Sequence, residues 1–364
     1  MAPNNPPNRL STPLTTLLHL KHPILLAGMA HCSTGPLAAA VSNAGGLGTV
    51  GGLGYTPQTL RSMIHELKSL LHSASLPFGV DLALPAVGGT ARKTNHDYTH
   101  GQLDALVDVI IEEGAALFVS AVGVPPQHVI QRLHDHGVVV MNMVGHPRHA
   151  TKAFDAGVDI VCAQGGEGGG HTGEIPMSIL VPACVDIANR YRPAMLARGK
   201  TQQQAGLVVA AGGIYDGRGL AAALALGAVG VWVGTRFVAS SEAGCSDMHK
   251  RSVVECGWED TVRTLVVSGR PLRARRNEYL DGWEGGKGEV ERLTSQGVVP
   301  MERDLETGER EVDMPFLMGQ VAAMVGEVKP AGVIVEDMVQ EAVEWMGRGA
   351  GFVVTDGGGR ESKL

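Results

Sequence analysis

Short apolar runs rich in leucine and β-branched residues recur along the chain at 24–26, 47–50, 78–82, 117–119, 138–143, 160–163, 207–211 and 229–233. Segments with helical spacing alternate with them, at 35–43, 57–72, 102–113, 126–136, 148–156, 179–191 and 217–226. That alternation predicts βα units and a parallel sheet. Eight units within about 240 residues suit a TIM (β/α)8 barrel, with an open doubly wound sheet as the alternative. The barrel is expected over 21–238, after an N-terminal extension at 1–20. Beyond residue 239 the pattern changes, and charged residues crowd 270–276 and 284–311. An appended subdomain is expected at 239–312, followed by closing helices within 313–350 and a tail at 351–364. The two closing helices are read at 314–325 and 333–346, with Pro330 as the break between them. The arginine-rich run Arg270 to Arg276 reads as a solvated surface, and the insert 192–204 as a surface loop.

Composition narrows the function. A chain of 364 residues, 44% of them hydrophobic, can bury a large core. Its 50 glycines follow no fixed period and mark many tight loops. A net charge of −7 with only 4% aromatic residues offers no basic stripe with stacking rings, so nucleic acid is not the expected partner and a small molecule is. Cys32, Cys162, Cys184, Cys245 and Cys256 form no CxxC pair and include an odd one, which reads as reduced thiols with neither a disulfide framework nor a zinc site. No leader-like or 18-residue apolar run is present, so no secretion and no membrane span is expected. Ser362-Lys363-Leu364 matches the peroxisomal address, which predicts recognition by the peroxisomal import receptor and, failing that, a cytoplasmic protein.

In a barrel the active site lies beyond the C-terminal strand ends. The apolar run at 160–163 opens directly into Gln164-Gly-Gly-Glu-Gly-Gly-Gly-His171-Thr-Gly-Glu174. Successive glycines bring backbone N–H groups against an anion, and a histidine beyond them can exchange a proton near neutral pH. His171 is therefore the candidate general base or substrate hydrogen-bond donor. A metal held by His171, Glu174 and Glu167 is disfavoured, because an extended glycine loop fixes no ligand geometry. His19, His22, His65, His72, His134 and His136 read as surface residues. Gly212-Gly213 precedes a helix starting near Asp216, and Gly234-Thr235 repeats the arrangement one unit later. Two such turns side by side suit a phosphate monoester, whereas a Rossmann GxGxxG after the first strand is missing.

Gly28-Met29 followed by Leu37 to Gly48, Pro77-Phe-Gly-Val80, Ala163 to Glu174, Ala211-Gly-Gly-Ile…Asp216-Gly-Arg-Gly219 and Gly234-Thr-Arg-Phe237 together resemble the nitronate monooxygenase family, formerly called 2-nitropropane dioxygenases. The resemblance runs from about Lys21 to Glu242, with a weaker part at 314–341. It implies a TIM barrel, non-covalent FMN, and oxidation of alkyl nitronates by O2 to a carbonyl compound and nitrite. By position it implies Ala27, Gly28 and Met29 near the flavin, Gly169 and Gly170 in the phosphate-side loop, and Ala211, Gly212, Gly213, Gly234 and Thr235 at the phosphate. Asp81 and Gln164 join this cofactor set, and His171 matches the catalytic histidine. Asp81 stands where relatives usually have Asn, and Met143 where some carry Lys.

The chemistry fits these residues independently. A nitroalkane α-proton is acidic, so one imidazole in a dry site can remove it, and the anion can reduce an oxidised flavin. The same scaffold also carries NAD(P)H-dependent FMN reductases acting on quinones or enoyl thioesters, and a non-catalytic FMN binder is the third alternative.

Overall fold

The computed structural model describes residues 9–85, 93–197 and 205–354. Ser362-Lys363-Leu364 and residues 198–204 of the insert lie outside them. Among the described residues eleven strands follow in chain order: β1 (Ile24–Leu26), β2 (Gly48–Gly52), β3 (Phe78–Ala83), β4 (Leu117–Ala121), β5 (Val139–Val144), β6 (Ile160–Gln164), β7 (Gly170–His171), β8 (Leu207–Ala211), β9 (Gly230–Val233), β10 (Thr261–Thr264) and β11 (Leu272–Arg275). Eight of these form one parallel sheet in the order β1-β9-β8-β6-β5-β4-β3-β2. A bridge between Leu25 and Leu47 brings the two ends together, so the sheet is a nearly closed (β/α)8 barrel. The remaining three make a small sheet in the order β10-β11-β7.

Each barrel strand is buried on both faces, and the two-residue period of a strand divides it between two cores. Leu25, Leu117, Val119, Val139, Met141, Ile160, Cys162 and Val209 point into the barrel. Ile24, Leu26, Phe118, Val140 and Val161 point outward beneath the helices. The N-terminal extension is part of this packing. Thr12 caps the short helix Pro13–Leu17, and Leu14, Leu18 and Leu20 join the interior cluster. Met195 and Leu196, on the helix Ala194–Ala197, are buried in the same cluster, so that part of the insert is not the surface loop its polar sequence suggests.

Other expectations are corrected. Segment 314–325 is not a helix. Its backbone is committed elsewhere: Arg275 N–H donates to Phe316 O at 2.8 Å, Leu317 bridges Ala274, and Gly319 N–H donates to Thr235 Oγ1 at 2.9 Å. Only the 3-10 turn Gln320–Met324 remains. The run 270–276 is not solvated surface, because it contains β11, where Leu272 and Ala274 are buried and Arg273 and Arg275 bond backbone carbonyls. His22 and His134 are buried rather than surface residues, and His134 Nε2 meets the buried Asp159 Oδ2 at 2.8 Å.

The last helix, Ala331–Ala350, packs between Gly217–Ala225 and Gly35–Asn43 and so covers the seam between the last and first barrel strands. Glu341 Oε2 accepts from Gly217 N–H at 2.8 Å, which ties it to the start of its neighbour. The excursion before it has its own small core around Trp283, whose indole N–H and the Tyr279 hydroxyl both donate to the buried Asp304.

Candidate active site

A cavity of about 280 Å³ opens at the C-terminal end of the barrel. It is lined by Ala27, Gly28 and Met29 after β1, Asp81 on β3, Gln164 at the end of β6, Gly169, Gly170 and His171 in the loop beyond, and Ala211, Gly212, Gly213, Gly234 and Thr235 after β8 and β9. The catalytic and cofactor candidates named from the sequence thus line one space. The walls are otherwise mostly apolar, from Leu53, Ala83, Ala121, Val122, Met143, Trp232, Leu317 and Met318.

The loop after β6 leaves the barrel and is caught by the small sheet. Leu272 pairs with His171 and Arg273 with Gly170, antiparallel. Arg273 Nη2 also donates to Gly166 O at 3.1 Å, and the Gln164 amide donates to His171 O at 2.9 Å. Glycine loops are ordinarily mobile, but this one is fixed at both ends by bonds to its carbonyls. His171 Nε2 lies 2.9 Å from Ser268 Oγ. Burial, reinforced by the nearby Arg270 guanidinium, lowers its pKa to about 4. The imidazole is therefore neutral at pH 7, and one ring nitrogen keeps its lone pair.

Glu174 is exposed and pairs with Arg263, while Glu167 accepts from Met177 N–H at the start of the helix Met177–Ala188. Both carboxylates have these other partners, and among the described residues they and His171 do not bring their ligand atoms close enough to share a metal ion.

The two turns can hold an anion. Gly212 and Gly213 have φ of +89° and +71°, the left-handed region that favours glycine. A Cβ on Gly212 would lie 2.9 Å from Gly165 O. Gly234 begins the short helix Thr235–Val238, and Asp216 caps the helix Gly217–Ala225 through Gly219 N–H at 2.9 Å. Glycine turns of this kind, with backbone N–H groups free of a Cβ in the way, suit a phosphate.

Across the cavity, Asp81 is 6% exposed and its Oδ1 has no hydrogen-bond partner among the described residues. Burial pushes its pKa up to about 8, so at pH 7 it is mostly a neutral acid with one O–H donor and one carbonyl acceptor. Those are the hydrogen-bonding capabilities of a side-chain amide. Gly28 makes room for it, since a Cβ on Gly28 would sit 2.3 Å from Asp81 Oδ2. An orphaned buried polar atom facing a cavity is a site for a ligand's hydrogen bond. Val122, also on the wall, has φ of +71°, a strained conformation for a β-branched residue and one that collects at functional sites.

Sequence reasoning missed Ser268, Arg270 and the wall formed by Leu317 and Met318. Their separation along the chain from the glycine loop hides them, and only the small sheet brings them to it.

A nearly closed (β/α)8 barrel with glycine turns and a neutral histidine around an apolar cavity at its C-terminal strand ends has the layout of a barrel enzyme. The sequence profile of the family described as nitronate monooxygenase matches residues 11–341, and the chain belongs to that family. It is 36% identical over 279 residues to a (3aS,4S,5R,7aS)-5-hydroxy-7a-methyl-1-oxo-octahydro-1H-indene-4-carboxyl-CoA dehydrogenase of Mycobacterium tuberculosis, covering 76% of this chain and 70% of that one. Among solved structures it is similar to FabK from Thermotoga maritima, with TM-score 0.76, 34% identity, and coverage of 94% and 100% of the two chains. Nitroalkane oxidase from Streptomyces ansochromogenes gives TM-score 0.73 and 28% identity, over 93% and 99%.

Proposed function

We propose that the protein is an FMN-dependent enzyme that oxidises alkyl nitronates and nitroalkanes with O2 to a carbonyl compound and nitrite. The observation that carries this reading is the neutral imidazole of His171 beside a phosphate cradle in an apolar cavity. The residues fit the cofactor. Gly212, Gly213, Gly234 and Thr235, with Gly169 and Gly170 beside them, would hold the phosphate, and the orphaned Asp81, with Gln164, Ala27, Gly28, Met29 and Ala211, would offer contacts to the rest of the cofactor. Bound there, FMN supplies the electron sink and the reaction with O2.

The chain's own part is proton transfer and exclusion of water. When His171 donates Nε2–H to Ser268, Nδ1 holds the lone pair that takes the α-proton of a nitroalkane. The apolar walls favour a neutral substrate at entry, and Arg270 offsets the negative charge left by deprotonation. Peroxisomal import through Ser362-Lys363-Leu364 is part of the same proposal, and a fluorescent fusion lacking the tripeptide should lose punctate localisation.

A second reading, an NAD(P)H-dependent FMN reductase acting on a thioester, is favoured by the similarity to a carboxyl-CoA dehydrogenase. Anaerobic bleaching of the bound flavin separates the two. Reduction by nitronate supports the first. Reduction by NADH or NADPH but not by nitronate replaces it with the second.

A further inference from the structure

We propose that Cys32, Cys245 and His249 form a three-ligand site for a soft divalent metal ion of the zinc type at the rim of the cavity. Cys32 follows β1, whereas Cys245 and His249 lie at the start of the helix Asp247–Val254, so the chain travels around the whole barrel before closing the cluster. Cys32 Sγ stands 3.9 Å from His249 Nδ1, and the three donor atoms all lie within 4.8 Å of one another. Tetrahedral zinc, with bonds of about 2.3 Å to sulfur and about 2.0 Å to nitrogen, sets its ligand atoms roughly 3.5–3.8 Å apart. Closing the cluster on an ion therefore needs movements of about 1 Å or less.

The surroundings favour metal over a chance meeting of three side chains. His249 Nε2 is 3.0 Å from Leu317 O, and a carbonyl can only accept. That contact places the proton on Nε2 and turns the lone pair of Nδ1 toward the thiols, the outer-shell arrangement that ligating histidines use. The ring is held further by stacking on Phe316 at 4.8 Å. The two loops are pinned together as Gly244 N–H donates to Cys32 O at 3.0 Å. Gly244 permits that approach, since a Cβ there would meet His31 O at 2.8 Å.

The charges also suit a divalent ion. Cysteine thiols ligate a divalent metal as thiolates and release their protons as it arrives. Lys250 is the opposing cation nearby, and its ammonium is engaged with Ser241 O at 3.1 Å. Two thiolates against one lysine leave a net negative pocket. Cys32 and His249 both border the cavity, so a metal with three protein ligands keeps an open position toward it, the pattern of non-structural zinc sites.

The test uses the full-length protein as purified, kept reduced and anaerobic, stripped with a chelator and titrated with Co²⁺. We expect one equivalent to bind, with thiolate-to-cobalt charge-transfer absorption superimposed on unchanged bands of any bound flavin, and displacement by Zn²⁺. His249→Gln and Cys245→Ser, each partly exposed, should weaken binding at least about 10-fold, while Cys184→Ser, buried under the barrel helices, should not. Circular dichroism confirms that each variant is folded, and if one thiol variant fails, His249→Gln decides. Absence of charge transfer in the reduced protein, or its survival in His249→Gln, overturns the proposal. So does a Cys32–Cys245 disulfide in the isolated protein whose reduction restores no cobalt binding.

Discussion

Replacing His171 with Asn removes the base and keeps a polar group of similar reach. The magnitude follows from the site. With a pKa of about 4, His171 is neutral in all but about one molecule in a thousand at pH 7, so the base is fully available although intrinsically weak. A positioned base is worth about 10²–10⁴-fold, or roughly 2.7–5.4 kcal/mol of barrier. We expect kcat/KM for neutral nitroalkanes to fall by that factor while flavin remains bound, because the turns Gly212-Gly213 and Gly234-Thr235 lie on other loops and the substitution leaves the backbone of Gly169 and Gly170 unchanged. Preformed nitronate needs no deprotonation, and its kcat/KM should fall less than about 10-fold. The assay is oxygen uptake with each substrate form at matched pH. Its pH profile gives a second check: the wild-type nitroalkane rate declines as pH falls through about 4, where His171 protonates, and the variant loses that acid limb. Equal losses for both substrate forms would mean that His171 positions the substrate. No loss for either would make the residue structural, and both results refute the base assignment.

Ser268→Ala should lower nitroalkane kcat about 10-fold through loss of imidazole orientation, leave KM nearly unchanged, and shift the acid limb, which steady-state pH profiles will detect. Asp81 has its pKa raised from 3.8 to about 8, so the folded state holds a proton that the unfolded chain releases between those values, and stability and cofactor binding weaken as pH rises toward and through 8. Asp81→Asn keeps the donor and acceptor without the titration, so fluorescence titration with FMN should give similar affinity at pH 6 and tighter binding than wild type at pH 9. An Asn variant with the wild-type pH dependence would show that Asp81 does not face the flavin. Gly212→Ala forces an L side chain to φ of +89° and into contact with Gly165, a strain of about 1–2 kcal/mol. It should raise the FMN Kd about 10-fold or more with little effect on an unrelated apolar probe, and unchanged FMN affinity would remove the turn from the phosphate site.

The barrel was legible because its signal is local. Each strand is a short apolar run buried on both sides, each helix shows its own period, and the eight glycine- or alanine-marked strand ends converge wherever such units close. The same locality explains the misreadings. Leu272-Arg-Ala-Arg275 alternates buried and half-buried positions, a strand period written in residues whose charge suggested solvent. The segment 314–325 carries helix-compatible residues, yet its backbone groups are taken by β11 and Thr235, so tertiary pairing overrides propensity.

Side-chain partnerships across the fold leave no spacing to read. Ser268 reaches His171 over 97 residues, and His249 reaches Cys32 over 217. Both join the barrel to the excursion at 239–330, which carries few of the apolar runs that make a sequence readable. The consequence is functional as well as descriptive. In the proposed mechanism the barrel supplies the cradle and the walls, whereas the position and neutrality of His171 depend on Ser268, Arg270 and the pairing of β7 with β11. Substrate preference within the family is therefore expected to track the sequence of the excursion more closely than that of the strands, because a change there reorients the base and reshapes the wall at Leu317 and Met318, whereas it meets the phosphate turns through the bond from Gly319 N–H to Thr235.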